Sequence, residues 1–226
     1  MLYIGIVVAQ QPIFNQDDTL RGSRTPERTW WDLTFYDLKV AVNPTQKSLS
    51  GCNTIHYKVL KSQKVMQIDL QPPLTINKIV QNDEALSFQK KGLNAYFVDI
   101  KTPQYEGKNY ELTVFYEGIP KEAANAPWDG GFSWSKDTKG SPFVATSCQG
   151  LGASVWWPCK DHMYDEPDSM SIAVTVPKNL MDVSNGRLRG TIENADGTHT
   201  FNWFVKNPIN NYGVNVNIAN YSPFSP

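Results

Sequence analysis

Residues 35–42 read FYDLKVAV, and Tyr36, Leu38, Val40 and Val42 fall on one face. That period of two belongs to a half-buried strand, not a helix. TIHYKVL at 54–60 repeats it with Ile55, Tyr57 and Val59, and the turn-rich NPTQKS at 43–48 separates the two runs. Toward the C-terminus the alternation returns at Met66, Ile68 and Leu70, at Tyr96, Val98 and Ile100, and at Leu112, Val114 and Tyr116. It comes again at Ile172, Val174 and Val176, at Phe201, Trp203 and Val205, and at Val214, Val216 and Ile218. QPP at 71–73, QND at 81–83, KKGLN at 90–94, YEGKN at 105–109 and NADGT at 194–198 punctuate these runs, and Asp196 with Gly197 is a hairpin signal. Apolar residues nowhere hold a helical spacing over a dozen positions. The expected class is all-β, in twisted, packed antiparallel or mixed sheets, with no more helix than one turn near 160–169.

With 226 residues, 40% of them hydrophobic and 12% aromatic, the chain is long enough to bury a real core. Its 21 basic and 22 acidic residues give a net charge of -1, so no charge excess would hold it on nucleic acid or on an anionic membrane surface. No stretch approaches the ~20 apolar residues of a bilayer span. Cys52, Cys148 and Cys159 form no CxxC pair and allow at most one bridge, with Cys148 and Cys159 the pair nearest in sequence; buried free thiols are the alternative. The opening run MLYIGIVVA, followed by Gln10, Gln11 and Pro12, has the look of the hydrophobic end of a secretory signal without its basic leader; an Ile- and Val-rich strand is the other reading. IFNQDDTLRGSRTPERT is polar and turn-rich, like an export linker. Residues 1–28 are therefore expected to be signal remnant and linker, residues 29–226 one β domain, and the location periplasmic or secreted.

The alternation lapses once, from Gly118 to Ser169, and long irregular stretches inside compact domains tend to be functional. Gly130 and Gly131, before Phe132, let backbone approach either a ligand or another strand. In ATSCQGLGASVWWPCKD, residues 145–161, the uncharged Gln149 stands among small residues, where its carbonyl can accept from an ammonium and its amide can donate. Asp161, His162, Asp165, Glu166 and Asp168 crowd the next stretch, but their spacing matches no calcium loop with its central Gly, and one His is too little for zinc. Solvated loop carboxylates and turn caps are the preferred account, and no metal ligand is assigned.

Taken in order, WDLTFYDLKVAVNPTQKSLSGCNTIHYKVL, GGFSWS, ATSCQ, WWPCKD, DEPDSMSIAVTVP, VSNGRL and FNWFVKNPINNYGVNVNIANY resemble the N-terminal β domain of the zinc aminopeptidases related to aminopeptidase N and leukotriene hydrolase, which are gluzincin metallopeptidases. The resemblance runs from about Thr29 to Tyr221. It is nearest to forms with Trp-Trp before Pro-Cys, and this chain has a longer loop where other members write PCFDEP. A saddle-like β domain is implied. So is one substrate-binding side chain: in the family, the residue nine places before the Pro of the Pro-Cys pair is a Glu or Gln that helps bind the substrate's free α-amino group. Here it is Gln149, nine before Pro158. A neutral Gln holds an ammonium without full charge pairing, which weakens recognition by about 1 kcal/mol or more relative to Glu. Phe132 and Ser133 in GGFSWS match a family loop near the substrate channel and are implied to line it or to support it. Trp156 and Trp157 read as packing, with Cys159, under that loop.

The family's chemistry uses His-Glu-x-x-His, with two imidazoles on zinc and a Glu that activates water, and a further Glu as third ligand. This sequence has His56, His162 and His199, and neither that motif nor the family's Gly-x-Met-Glu-Asn. The resemblance thus implies the front part of a longer zinc aminopeptidase, cut near Pro226 before the catalytic domain. No catalytic residue is expected in this chain. Zinc would be the cofactor of the catalytic domain of the same polypeptide, and a peptide N-terminus the substrate. The alternative is a non-catalytic module that binds peptides or sugars on a platform of Trp128, Trp134, Trp156 and Trp157. A homologue whose downstream domain has lost its zinc ligands is a third possibility.

Overall fold

The structure is a computed structural model that describes residues 13–222, so the signal-like run MLYIGIVVA lies outside the described residues. β1 (Trp31–Asn43) and β2 (Ser48–Val59) form the long hairpin that FYDLKVAV and TIHYKVL predict. The register shifts between Leu33 and Phe35, so the inward face passes from Trp31 and Leu33 to Tyr36, Leu38, Val40 and Val42. β3 (Val65–Asp69), β4 (Thr75–Gln81), β5 (Glu84–Ala85), β6 (Phe88–Lys91), β7 (Ala95–Asp99) and β8 (Asn109–Gly118) follow, separated by the turns marked in the sequence. After β9 (Gly131–Lys136) and β10 (Pro142–Ser147) the chain runs irregularly to β11 (Ser169–Pro177), then through β12 (Met181–Ser184), β13 (Arg187–Glu193), β14 (Thr198–Val205) and β15 (Val216–Ala219).

These strands make three sheets. The large one has the order β13-β14-β11-β1-β2-β8-β4-β5; the others are β12-β15-β10-β9 and β3-β7-β6. Among the described strands β1 and β11 pair in parallel and the remaining pairs are antiparallel, so the all-β, mixed-sheet expectation holds. One buried cluster draws on all three sheets, with Leu38 and Ile172 from the first, Val144 and Ile218 from the second, and Met66 and Val98 from the third. Burying that apolar area against three sheets at once is the main source of stability and holds the connecting loops in place.

Two stretches depart from expectation. The segment 118–169 is not wholly irregular, because β9 and β10 form a hairpin closed by the turn at Asp137, whose Oδ1 accepts from the backbone N–H groups of Lys139 and Ser141. FSWSK and PFVATS hide it, since Ser, Thr and Ala give a weak alternation. The supposed export linker folds as α1 (Gln16–Gly22) and α2 (Pro26–Thr29). Asn15 caps α1 and Asp18 returns a bond to the Asn15 backbone, a reciprocal cap that needs no apolar face. α1 buries none of its residues, so no hydrophobic period announces it. The helical turn allowed near 160–169 is absent; short 3-10 turns stand instead at Ala153–Val155 and Asn211–Gly213.

Candidate functional site

β10 leads directly into the Gln149 loop. Cys148 is buried, whereas Gln149 and Gly150 are exposed. The backbone N–H groups of Leu151 and Gly152 both donate to the Cys148 carbonyl, at 3.1 and 2.8 Å, which closes a tight reversal. Gly150 and Gly152 take φ of +71° and +85°, where side chains would be strained. Beneath the reversal Trp156 and Trp157 have no exposure, and Trp157 meets Tyr36 edge-on at 5.0 Å, so the pair is packing, as read from the sequence. Gln71 Nε2 donates to the Leu151 carbonyl at 2.6 Å and Asn53 Nδ2 to the Pro158 carbonyl at 2.8 Å, pinning the loop to the segment after β3 and to β2 of the large sheet.

The glycine pair faces protein backbone. A Cβ on Gly130 would lie 2.8 Å from the Gln149 carbonyl oxygen and 2.9 Å from Leu151 Cβ, and one on Gly131 would lie 2.5 Å from the Lys121 carbonyl oxygen. Phe132 is fully buried and stacks on Trp134 at 4.9 Å, so its ring supports the loop and does not face solvent. Ser133 is half-buried on β9, opposite Ala145. The four-tryptophan platform is not assembled: Trp128 is 78% exposed, but Trp134 is half-buried and Trp156 and Trp157 are sealed in the core.

The Gln149 Oε1 accepts a hydrogen bond from the hydroxyl of Tyr212, a partner that lies in the turn Asn211–Gly213. That turn is tied to the same loop, since Asn211 Nδ2 donates to the Lys160 carbonyl at 2.7 Å. Lys160 is itself buried and donates to the Trp31 carbonyl at 2.7 Å and to Asp165 Oδ2 at 2.5 Å. Burial pulls its pKa down to about 8 while Asp165 opposes the fall. Asp165 is therefore the partner of a buried ammonium, not a solvated loop carboxylate. Asp161 fits the capping account, accepting from the backbone N–H groups of Ala153 and Ser154 at 3.1 and 3.0 Å and from Ser154 Oγ at 2.6 Å. His56, His162 and His199 stand on separate elements, and among the described residues no group of three His, Cys, Asp or Glu could hold a metal ion. All three cysteines are free thiols; burial pushes Cys148 up to about 12 and Cys159 well above its usual range. No helix among the described residues is long and apolar enough to cross a membrane.

A cleft of about 830 Å³ opens next to the Gln149 loop, lined by Gly150, Gly152, Asp161, His162, Met163 and Tyr212 together with Phe14, Asp18 and Arg21. Phe14, Met163 and Tyr212 give it exposed apolar walls. An amide oxygen has two lone pairs; Tyr212 takes one and leaves the other for a second donor. The Peptidase M1 N-terminal domain profile matches residues 33–212. The chain belongs to the M1 peptidase N-terminal domain family. Its fold is similar to that of the M1 zinc metallopeptidase from Deinococcus radiodurans, with a TM-score of 0.69 at 20% identity, covering 84% of this chain and 42% of that one. A mutant of a two-domain M1 zinc metallopeptidase bound to L-tryptophan aligns with a TM-score of 0.70 at 19% identity, covering 85% of this chain and 43% of that chain. The Deinococcus radiodurans mutant bound to a Tyr-Ser-Ala substrate gives 0.69 at 20% identity, covering 84% and 43%. This M1 domain thus spans less than half the length of the solved structures it matches. No curated protein matches the chain by sequence. Sequence reasoning missed Tyr212, although it lies in the NPINNYG block, because nothing local ties it to a glutamine 63 residues away.

Proposed function

We propose that this domain serves a zinc-dependent aminopeptidase and presents Gln149 to the α-amino group of a peptide that is cut in a catalytic domain of the same polypeptide. The observation that carries this reading is the placement of Gln149: an exposed residue, next to Gly150 and bonded to Tyr212, both of which line a cleft of about 830 Å³, on a loop packed over buried aromatics. A fixed acceptor at that point holds the amino end of the peptide and limits cleavage to the first residue. Fold neighbours with L-tryptophan and Tyr-Ser-Ala bound fit a ligand with a free amino group. Among the described residues no donor set fits zinc, so polarising the scissile carbonyl and activating water belong to the catalytic domain. In this reading Phe132 and Ser133, on β9 paired with the β10 strand that leads into the Gln149 loop, support that loop from the side of the hairpin. A periplasmic or secreted location rests on the run MLYIGIVVA.

In the full-length enzyme, Gln149→Ala is expected to lower kcat/KM about tenfold for an aminoacyl anilide and to leave its N-acetyl counterpart nearly unchanged. Gln149→Glu keeps or improves use of the free-amine substrate, since a carboxylate pairs with ammonium more strongly. Equal losses on both substrates would remove the amino-group role.

A further inference from the structure

The family match begins at residue 33, yet the residues before it are packed against the Gln149 loop. Arg21, in the last turn of α1, donates Nη2 to the Gly150 carbonyl at 2.7 Å. Among the described residues this is the hydrogen bond that holds the carbonyl next to Gln149. One residue on, the Gly22 carbonyl lies 3.2 Å from His162 Nε2, another residue of the cleft lining. α1 therefore meets the cleft lining at two points, Gly150 and His162.

The helix is itself anchored. Arg28, fully buried, donates Nη1 to the carbonyls of Arg21 and Ser23, at 3.1 and 2.9 Å, and Nη2 to Asp69 Oδ2 at 2.7 Å. Asp69 Oδ2 also accepts from the backbone N–H of Asp161 at 3.1 Å, and Asp161 caps the turn beneath the Gln149 loop. At the N-terminal end of α1, Asp17 Oδ1 accepts from the Leu93 backbone N–H at 2.9 Å, and in its last turn Gln67 Nε2 donates to the Leu20 carbonyl at 3.0 Å. The strap and the loop thus share one polar frame.

We propose that α1 is a strap across the site and that Arg21 is the positioning residue of the Gln149 loop, acting through the Gly150 carbonyl. The loop needs such a tie. Gly150 takes a positive φ and would have nothing within 4 Å of a side chain, so its outer side is open. That carbonyl belongs to the Gly150–Leu151 peptide, so holding it fixes the Gly150 Cα to which the Gln149 peptide is joined, and a charged donor holds it more strongly than a neutral one. Arg21 is exposed and α1 buries no residue, so replacing it perturbs the loop and not the core. The strap stands on geometry alone; only its effect on catalysis rests on the reading of Gln149 as the amino-group site.

Hydrogen exchange on the 226-residue chain tests the strap without substrate. Arg21→Ala is expected to speed exchange at Leu151 and Gly152 by about fivefold or more, while Val40 and Ile172 in the large sheet keep their protection. Arg21→Lys, which retains a cationic donor, restores most of the loop protection. In the full-length enzyme, Arg21→Ala lowers kcat/KM for the free-amine anilide and adds nothing to Gln149→Ala, because the two act on one interaction. Unchanged exchange in the loop, no recovery with Lys, or equal acceleration in loop and sheet overturns the strap. If exchange behaves as expected and the N-acetyl comparison fails, the strap stands and the amino-group reading falls; the reverse pattern separates them the other way.

Discussion

Asp182 tests how the sheet that carries the Gln149 loop is joined to the large sheet. It lies on β12 with no exposure, and Trp203 of β14 donates Nε1 to its Oδ2 at 2.9 Å from the large sheet. Oδ1 has no hydrogen-bond partner. Burial pushes the carboxyl from its usual 3.8 up to about 7, against the pull of the Trp203 hydrogen bond; Tyr221 is raised first by its own burial and then by the Asp182 charge. Because the folded pKa lies above the unfolded one, the folded chain holds more protons between the two values. The associated stability is complete below the unfolded pKa and is lost as pH rises through about 7. The whole window is worth up to about 4 kcal/mol, of which about 2.5 kcal/mol falls between about pH 5 and about pH 8. Asp182→Asn keeps the shape and an acceptor for Trp203 while removing the charge. In urea titrations across that range the parent should lose about 2.5 kcal/mol relative to the variant, leaving the variant the more stable at the alkaline end. Other acids cancel in the difference. Parallel stability curves for the two proteins would refute the buried, unpaired carboxylate.

Gly130→Ala places a methyl 2.8 Å from the Gln149 carbonyl oxygen and 2.9 Å from Leu151, so the loop must shift, at about 1–3 kcal/mol of stability read by thermal or urea unfolding. An unchanged midpoint would show that the hairpin and the loop are not in the close approach described. Thiol titration with an aromatic disulfide reagent should label neither Cys148 nor Cys159 in the native chain, because burial holds both as thiols, and should count three thiols after unfolding. A count of one after unfolding without reductant would mean a bridge and contradict the free cysteines.

The large sheet was legible in FYDLKVAV and TIHYKVL because burial there is one-sided: Val40 and Tyr57 face the core while Lys39 and Lys58 face water. The bulge beside Thr34 left no local mark, yet it changes which face of β1 Leu33 and Tyr36 share. Gln149 is legible through its distance from Pro158 within the family's pattern; no periodicity points to it. Its surroundings were hidden for a different reason. Arg28 meets Asp69 from 41 residues away, and Arg21 meets Gly150 from 129. Such ties leave no periodic trace, because each cation reads locally as one more solvated charge. Their energetic asymmetry is what makes them informative: Asp69 is buried, its pKa raised by that burial and only partly restored by Arg28, so removing the cation strands a carboxylate in the core at about 3–5 kcal/mol. The same cost keeps Arg28 on Asp69, and Arg28 keeps the Arg21 carbonyl in place. A segment that reads as linker is held, largely by polar bonds, where its last turn can grip the loop beside Gln149.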